Sequence, residues 1–495
     1  MQGRFATAAA TGLATATAAA TGLATATGLA ADLGTWRADD RPLAQSLADA
    51  VTSAVIDGRI TAGTPLPSER ELARLLNISR GTVVAALTQL RDDGWLRTRQ
   101  GSGSVIRLPP SLTQRTTPWS QDRGGAADAD LDLTLAVTAA PHDAYLAALT
   151  RAVERSPTLL VDAGTPSPGL PRLRELVAGR YTKAGLPTRT EQILITSGAQ
   201  AALTLLDDHL HQDRRAPVLI ESPTFPGALT ILRHRRARLV SIPVTTDAGW
   251  DLDRLTQAAR TSGSRLCYLI PDFHNPTGAH MSRETRTAIG ALAQRHGLTI
   301  VADETMRDLD LRVPPQATPH LAGPSVINVG STSKTVWTGL RVGWIRASAA
   351  LITELRHNPL QQQLAPPPLE QLIAIELLGE HLDALLADRR GRLREQRDHL
   401  ASLLTPTGWT AAVPDGGLSL WLHLGPDTTG NALAERAAQR GLAVSPGPQF
   451  AADRATLTRY LRLPYTATVE SLTRAVRILT EPTTPTAPTE PPTDD

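Results

Sequence analysis

Lysine is almost missing from this chain: its 50 basic residues include only Lys183 and Lys334, and all the others are arginine. Cysteine is scarcer still. The single Cys267 excludes an internal disulfide framework and any cysteine-based zinc cluster, a usage that fits a reducing cytoplasm. Long apolar runs are lacking too. No stretch approaches the ~18 residues that a membrane helix needs, because Arg, Asp or Pro interrupts each one, so a membrane is excluded as a partner. The charge imbalance is small, at +2, and does not by itself argue for nucleic acid; a DNA partner has to be declared by a local motif. The 12 histidines include no pair in a zinc-ligand context, and His209 with His211 in "DDHLHQD" reads as the solvent-facing end of a helix, so no metal site is expected. No nucleophile-elbow motif marks a Ser-His-Asp triad.

What is present is length and pattern. A chain of 495 residues, 41% hydrophobic, calls for two or more domains. Residues 1–35 contain "ATAAATGLATATAAATGLATATGLA" (Ala6 to Ala30), a ten-residue repeat of Ala, Thr, Gly and Leu. Such a segment makes a poor secretory signal and is expected to be disordered, with no packed structure of its own. Residues 36–108 read as three helices and a hairpin. Leu43, Leu47, Val51 and Val55 recur at four-residue steps on one helical face. "PSERELARLL" offers Ser68 as an N-cap with Glu71 three residues on, and places Leu72, Leu75 and Leu76 on the buried side. A third helix opens at Ser79 and closes at Gly94, and "WLRTRQGSGSVIRL" reads as two strands around a Gly-Ser-Gly turn.

Residues 109–130 lack periodicity and are rich in Pro, Ser, Thr, Gly and Asp, the composition of a linker. From 131 to 480, the apolar runs "QILIT", "PVLIE", "RLCYLIP", "LTIVADE" and "SVINVG" alternate with helical patterns. That alternation predicts an α/β domain with a mostly parallel sheet, whose chemistry gathers beyond the carboxyl ends of the strands. Residues 481–495, "EPTTPTAPTEPPTDD", are expected to be disordered.

The third helix begins Ser-Arg-Gly-Thr, a set of small polar groups and a guanidinium suited to a major groove. Arg80 can fork onto guanine, while Ser79, Thr82 and the first amides hold phosphate. Arg70 and the wing residues Arg97 and Arg99 can reach the DNA backbone. A helical module for protein contacts is the alternative. The stretch "GRITAGTPLPSERELARLLNISRGTVVAALTQLRDDGWLRTRQGSGSVI" resembles the winged helix-turn-helix of GntR-type regulators, which implies double-stranded DNA as a partner.

In the second domain, "TSGAQ" opens a helix after a strand, so the amides of Gly198 and Ala199 can hold a phosphate. Asn275 in "PDFHNPTG", Asp303 in "VADET" and Lys334 in "STSK" each follow a strand, with Arg341 seven residues after the lysine. Pyridoxal 5'-phosphate needs such a set. Its aldehyde takes a primary amine, which a guanidinium cannot supply, and this explains a lysine in a chain that otherwise uses Arg. Its pyridine nitrogen takes a carboxylate, and its phosphate takes hydroxyls and a guanidinium, here Ser331, Ser333 and Arg341.

The region 131–480 resembles fold type I aminotransferases of the aspartate aminotransferase class. The resemblance implies a mixed, mostly parallel sheet flanked by helices and a small C-terminal α+β part. It also implies Lys334 as the Schiff-base lysine, Asp303 as pyridinium partner and Asn275 as donor to the ring's phenolate oxygen. Phe225 would be the stacking aromatic, and Arg462 the receiver of a substrate carboxylate. A Tyr usual two or three residues after the Asp is replaced here by Thr305 and Met306. Head and body together resemble the MocR subfamily of GntR regulators. That implies a cytoplasmic homodimer, a head crossing to the partner's body, and an amino compound or the cofactor sensed in the body. The alternatives are a working aminotransferase that carries a DNA-binding head, a body that only dimerises, and a scaffold that has lost its cofactor.

Overall fold

A computed structural model describes residues 29–30, 32–37, 41–60, 64–99, 103–109, 129–161, 168–213 and 215–481. The repeat up to residue 28, most of the linker (110–128) and the tail from 482 lie outside the described residues.

The head is built from α1 (Leu43–Ile56), α2 (Glu69–Leu76), α3 (Arg80–Asp92) and the antiparallel wing β1 (Leu96–Arg99) and β2 (Gly103–Ile106). Ser68 caps α2 by accepting from the Glu71 amide at 3.3 Å, and Ser79 caps α3 by accepting from the Thr82 amide at 3.0 Å. The turn between them is made by Asn77 in the left-handed region, at φ 51°. Leu47, Val51, Val55, Leu72, Leu76, Val83, Leu87 and Leu90 fill one core with Trp95 and Ile106. One expectation needs correction: Leu75 is only half-buried, while Leu43, which starts α1 before the first packed turn, is exposed.

A second correction concerns the leading segment. Leu29 and Leu33, expected to carry no packed structure, are buried in the head core at 3% and 5% exposure. Their four-residue spacing puts them on one helical face, so the end of the repeat and the residues just after it supply apolar side chains to the domain that follows.

The body opens with β3 (Leu131–Asp132), which pairs in parallel with β13 (Leu442–Ala443). Its main sheet contains β4 (Ile193–Thr196), β5 (Pro217–Ser222), β6 (Arg238–Thr245), β7 (Gly249–Trp250), β8 (Leu266–Leu269), β9 (Thr299–Asp303), β10 (Val326–Ser331) and β11 (Gly343–Arg346). The order across the sheet is β4-β11-β10-β9-β8-β5-β6-β7. The strands β6, β5, β8, β9 and β10 run parallel; β11 is antiparallel to both β10 and β4, so β4 runs with the parallel set. Helices cover both faces, which is why β4, β8 and β10 are buried along their whole length. The carboxyl ends of β4, β5, β8, β9 and β10 thereby share one edge.

A smaller antiparallel sheet, β12 (Ser419–His423), β15 (Tyr460–Pro464) and β14 (Ser445–Pro446), packs with the helices Leu382–Leu404 and Val469–Thr480 around a separate core. The head contacts the body at a few points. The Leu457 amide donates to the Ile56 carbonyl at 2.6 Å, Arg254 donates to the Arg59 carbonyl at 2.6 Å and pairs with Asp32, and Ala455 is buried in the head core. Among the described residues no helix is long and apolar enough to cross a membrane, and no cluster of His, Cys, Asp or Glu could hold a metal.

Candidate functional site

Lys334 lies in the short helix Thr332–Thr335 that follows β10, at the shared edge of the sheet. Its amine donates to the Ala136 carbonyl at 2.8 Å. Burial, aided by the Arg462 guanidinium and opposed by Asp303, pushes that amine down to about 8. It is therefore a nucleophile in reach of neutral pH.

Asp303 ends β9 and is buried, accepting from the Tyr268 hydroxyl at 2.8 Å and from the Thr305 amide at 3.0 Å. Burial raises its carboxyl above the usual carboxylate range, against the pull of those two donors. The donors that reach it are neutral groups, so a protonated ring nitrogen would be a cation hydrogen-bonded to it directly. Tyr268 is a site residue that the sequence reading missed. The register gives the signal: Tyr268 pairs with Val301 across β8 and β9, and Asp303, two residues on, shares that face.

The candidate anion grip lies where β4 and β10 end and β11 begins. Gly198 (φ 91°) caps the helix Ala199–Leu210, and the close approach there is tight: a Cβ on Gly343 would stand 2.6 Å from the Gly198 carbonyl carbon. Arg341 lies across this helix end, donating to the Ser197 carbonyl at 2.9 Å. One expectation changes. The Gly198 amide turns back to the Thr196 carbonyl at 2.8 Å, so the amides left to face an anion are those that follow, from Ala199 on. Ser331 is buried, and its hydroxyl is shared between the Val342 carbonyl and Ser333, while Ser333 is half-buried.

Arg462 is in the middle of β15 and buried. One amino group meets Asn275 Oδ1 at 3.5 Å, the other is held by the Thr134 carbonyl, and the plane lies over the Phe450 ring at 4.8 Å. Its Nε is buried with no hydrogen-bond partner. Burial pushes the guanidinium down to about 10, with Asp132 opposing. A buried guanidinium with a free donor and carbonyl neighbours favours an incoming carboxylate. Phe225 stands at the end of β5 as the N-cap of the helix Pro226–His234, its ring folded over Gly227. The residues present thus fit a pyridoxal phosphate: a depressed amine, a buried acid without a cation, an anion grip and an unsatisfied guanidinium. Also missed was Arg389, a buried residue of the helix Leu382–Leu404 that donates to the Lys334 carbonyl at 2.9 Å and fixes the backbone under the amine.

On the head, Arg70 and Arg97 are exposed. Arg80, at the start of α3, is exposed but pairs with Glu69 at 3.0 Å. The Ser79 and Thr82 hydroxyls bond each other at 2.8 Å beside it. Arg99 closes β1 opposite Gly103.

A family model, aminotransferase class I and II, matches residues 140–479, and a second, bacterial regulatory proteins of the gntR family, matches residues 43–106. The chain belongs to the aminotransferase class I and II family and carries a GntR head, as MocR-type regulators do. Its relatives agree. The HTH-type transcriptional regulator YisV of Bacillus subtilis is 28% identical over 83% of this chain and 90% of its own length. NorG, an HTH-type transcriptional regulator of Staphylococcus aureus, is 25% identical over 72% and 86%. The 2-aminoadipate transaminase of Thermus thermophilus is 31% identical over 58% and 73%. The crystal structure of LysN, an α-aminoadipate aminotransferase of that organism complexed with N-(5'-phosphopyridoxyl)-L-leucine, superposes with a TM-score of 0.65 at 28% identity, covering 72% of this chain and 95% of LysN.

This MocR-type chain departs from the aminotransferase pattern after Asp303. Met306 is buried in the small-sheet core with Phe273, and the Thr305 amide donates to the acid. No phenol is delivered from that turn.

Proposed function

We propose that this DNA-binding regulator holds pyridoxal phosphate in its body and reads an amino compound there, as a homodimer whose two heads engage paired half-sites of DNA. The observation that carries this reading is Lys334, an amine depressed to about 8 and set between Asp303 and an Arg462 that has no ion pair among the described residues, in one chain with a winged helix-turn-helix. When bound, the cofactor supplies an aldehyde and an electron-withdrawing ring. Lys334 would hold that aldehyde, in competition with an incoming amine. Asp303, steadied by Tyr268, keeps a proton at the ring nitrogen, and Asn275 donates to the ring oxygen. The Ala199 end of its helix, with Ser333 and Arg341, holds the phosphate, and Arg462 receives the carboxylate of the amino compound. Met306 in place of a phenol favours ligand exchange over repeated proton transfer, and so regulation over turnover.

The test is to purify the protein, load it with pyridoxal phosphate and record its visible spectrum against a panel of amino acids. Binding to the DNA upstream of its own gene is measured with each. Compounds that shift the spectrum are expected to shift DNA affinity, and Arg462→Ala is expected to lose both responses while keeping the cofactor. A panel that shifts the spectrum and never the affinity would refute sensing. Full cycling of the spectrum with a keto acid would establish the working aminotransferase instead.

A further inference from the structure

The turn that carries Lys334 is held in place by side chains from elsewhere in the body. The helix Thr332–Thr335 has 4 residues, a single turn whose internal hydrogen bonds are too few to fix it. Arg389 holds its main chain, donating to the Lys334 carbonyl at 2.9 Å and, through its other amino group, to the Ala139 carbonyl at 3.1 Å. Asp308 holds the next side chain. The hydroxyl of Thr335, a residue only 2% exposed, donates to Asp308 Oδ2 at 3.0 Å. Without that acceptor the turn would contain a buried donor left unpaired.

Asp308 is itself braced. Its two carboxylate oxygens accept from one amino group of Arg180, in the helix Pro171–Lys183, at 2.9 and 2.8 Å, and its carbonyl accepts from Arg390 Nε at 2.9 Å. The ion pair is sheltered, with Arg180 at 27% and Asp308 at 22% exposure, so solvent screens it only in part. A carboxylate is a charged acceptor and holds a hydroxyl more firmly than a carbonyl would. Asp308 also lies in the turn that leaves Asp303, just past Met306. Its bond to Thr335 therefore ties the turn that follows the buried acid to the turn that carries the amine. Asp308 bonds Thr335, Arg180 and Arg390, and none of the residues assigned to phosphate, ring or carboxylate.

We infer that Asp308, braced by Arg180, is a positioning residue for Lys334: through the Thr335 hydroxyl it keeps the amine-bearing turn in register with Asp303, so that capture of an aldehyde moves one side chain and no backbone. This inference rests on the pyridoxal phosphate reading of the pocket. To reach an aldehyde the Lys334 amine has to leave the Ala136 carbonyl. With its carbonyl on Arg389 and its neighbour on Asp308, the rest of the residue stays where it is during that swing. Bond formation depends steeply on such placement, and a displacement of about 1 Å costs roughly a hundredfold in rate. Because Asp308 acts only through Thr335, its loss slows the bond-forming step and spares non-covalent affinity.

The experiment uses the full chain and two probes. Pyridoxal 5'-phosphate carries the aldehyde that Lys334 captures; pyridoxamine 5'-phosphate has the same phosphate and ring but an amine in place of the aldehyde, so it forms no bond to the lysine. Stopped-flow absorbance gives the capture rate of the first, and calorimetry the affinity of the second. Thr335→Val, which keeps the shape and removes the hydroxyl, and Asp308→Ala should each lower the capture rate by about tenfold or more and leave pyridoxamine phosphate affinity unchanged. Thr335→Ser should restore capture, and the Val and Ala substitutions combined should be no slower than either alone, because both remove one interaction. Three results overturn the assignment and leave the pocket reading standing: capture at the parent's rate in both variants, an equal fall in capture and in pyridoxamine phosphate affinity, or a Thr335→Ser chain as slow as Thr335→Val. If the parent chain binds neither probe, the pocket reading fails and the assignment with it.

Discussion

The amine of Lys334 donates to the main-chain carbonyl of Ala136, and the guanidinium of Arg462 is held by the carbonyl of Thr134, two residues earlier on the same segment. The two groups that would meet a cofactor aldehyde and a ligand carboxylate are therefore both held by backbone oxygens of residues 134–136. These residues follow β3 directly, where the chain arrives from the linker. A neutral carbonyl is a weaker acceptor than a carboxylate, so an anionic ligand reaching Arg462 would win this exchange.

Lys334 loading should follow pH with a midpoint near 8. Burial places the amine at about 8, below the ordinary lysine value of 10.5. Below that midpoint the group is an ammonium and cannot attack; above it the free amine does. Stopped-flow absorbance with pyridoxal phosphate, from pH 6.5 to 9.5, reads the midpoint, and a rate still climbing tenfold per pH unit above 9 would contradict the pocket assigned to it. Lys334→Arg should fail as completely as Lys334→Ala, since a guanidinium keeps the charge and forms no such bond.

Tyr268→Phe should loosen the cofactor without abolishing its capture. The substitution removes one of the two donors to the buried Asp303 and raises its carboxyl further. A hydrogen bond to a charged group contributes about 1.5–3 kcal/mol, so retention should fall by roughly ten- to a hundredfold. Dialysis followed by the visible band measures the loss. Asp303→Asn should be worse, because the amide cannot hold the ring nitrogen's proton.

Leu33→Ala should destabilise the head. The residue is 5% exposed within the head core, and emptying such a site costs about 2–5 kcal/mol. Calorimetry should show the transition of the head lowered and that of the body unchanged. An unaltered head would restore the reading that the leading segment adds nothing.

That segment illustrates where the sequence was legible. The parallel strands β4, β5, β8, β9 and β10 stood out because helices on both faces leave them almost wholly apolar, while β6 begins at an exposed Arg238 and contains Pro243, and β11 has four residues opening on Gly343. Lys334 and Asp303 were readable as chemically odd residues at strand ends. Arg462 was not: flanked by Leu461 and Leu463 in β15, it fits the outward position of an alternating strand, and only the family resemblance pointed it into the pocket. The parts played by Ala136 and Thr134 are carbonyls, which no side-chain pattern encodes. Leu29 and Leu33 were hidden by composition, since low complexity averages away two leucines at helical spacing.

DNA recognition should separate into two kinds of residue. Arg80, at the start of α3, is placed to read a base, and Arg80→Ala should cost about 1–3 kcal/mol and relax sequence preference. Arg70→Ala and Arg97→Ala should weaken binding evenly across sequences, each lowering the log–log salt slope by about 1. The pair between Arg80 and Glu69, at 3.0 Å on an exposed surface, must open before the guanidinium can reach a guanine. An exposed pair is worth about 0.2–1 kcal/mol, so Glu69→Gln should tighten specific binding by no more than that and leave non-specific binding within about the same range. Fluorescence anisotropy on the upstream duplex and on a scrambled one, across a salt series, distinguishes these outcomes. An Arg80→Ala variant that weakens both duplexes equally would make Arg80 a phosphate contact and move base reading elsewhere on α3.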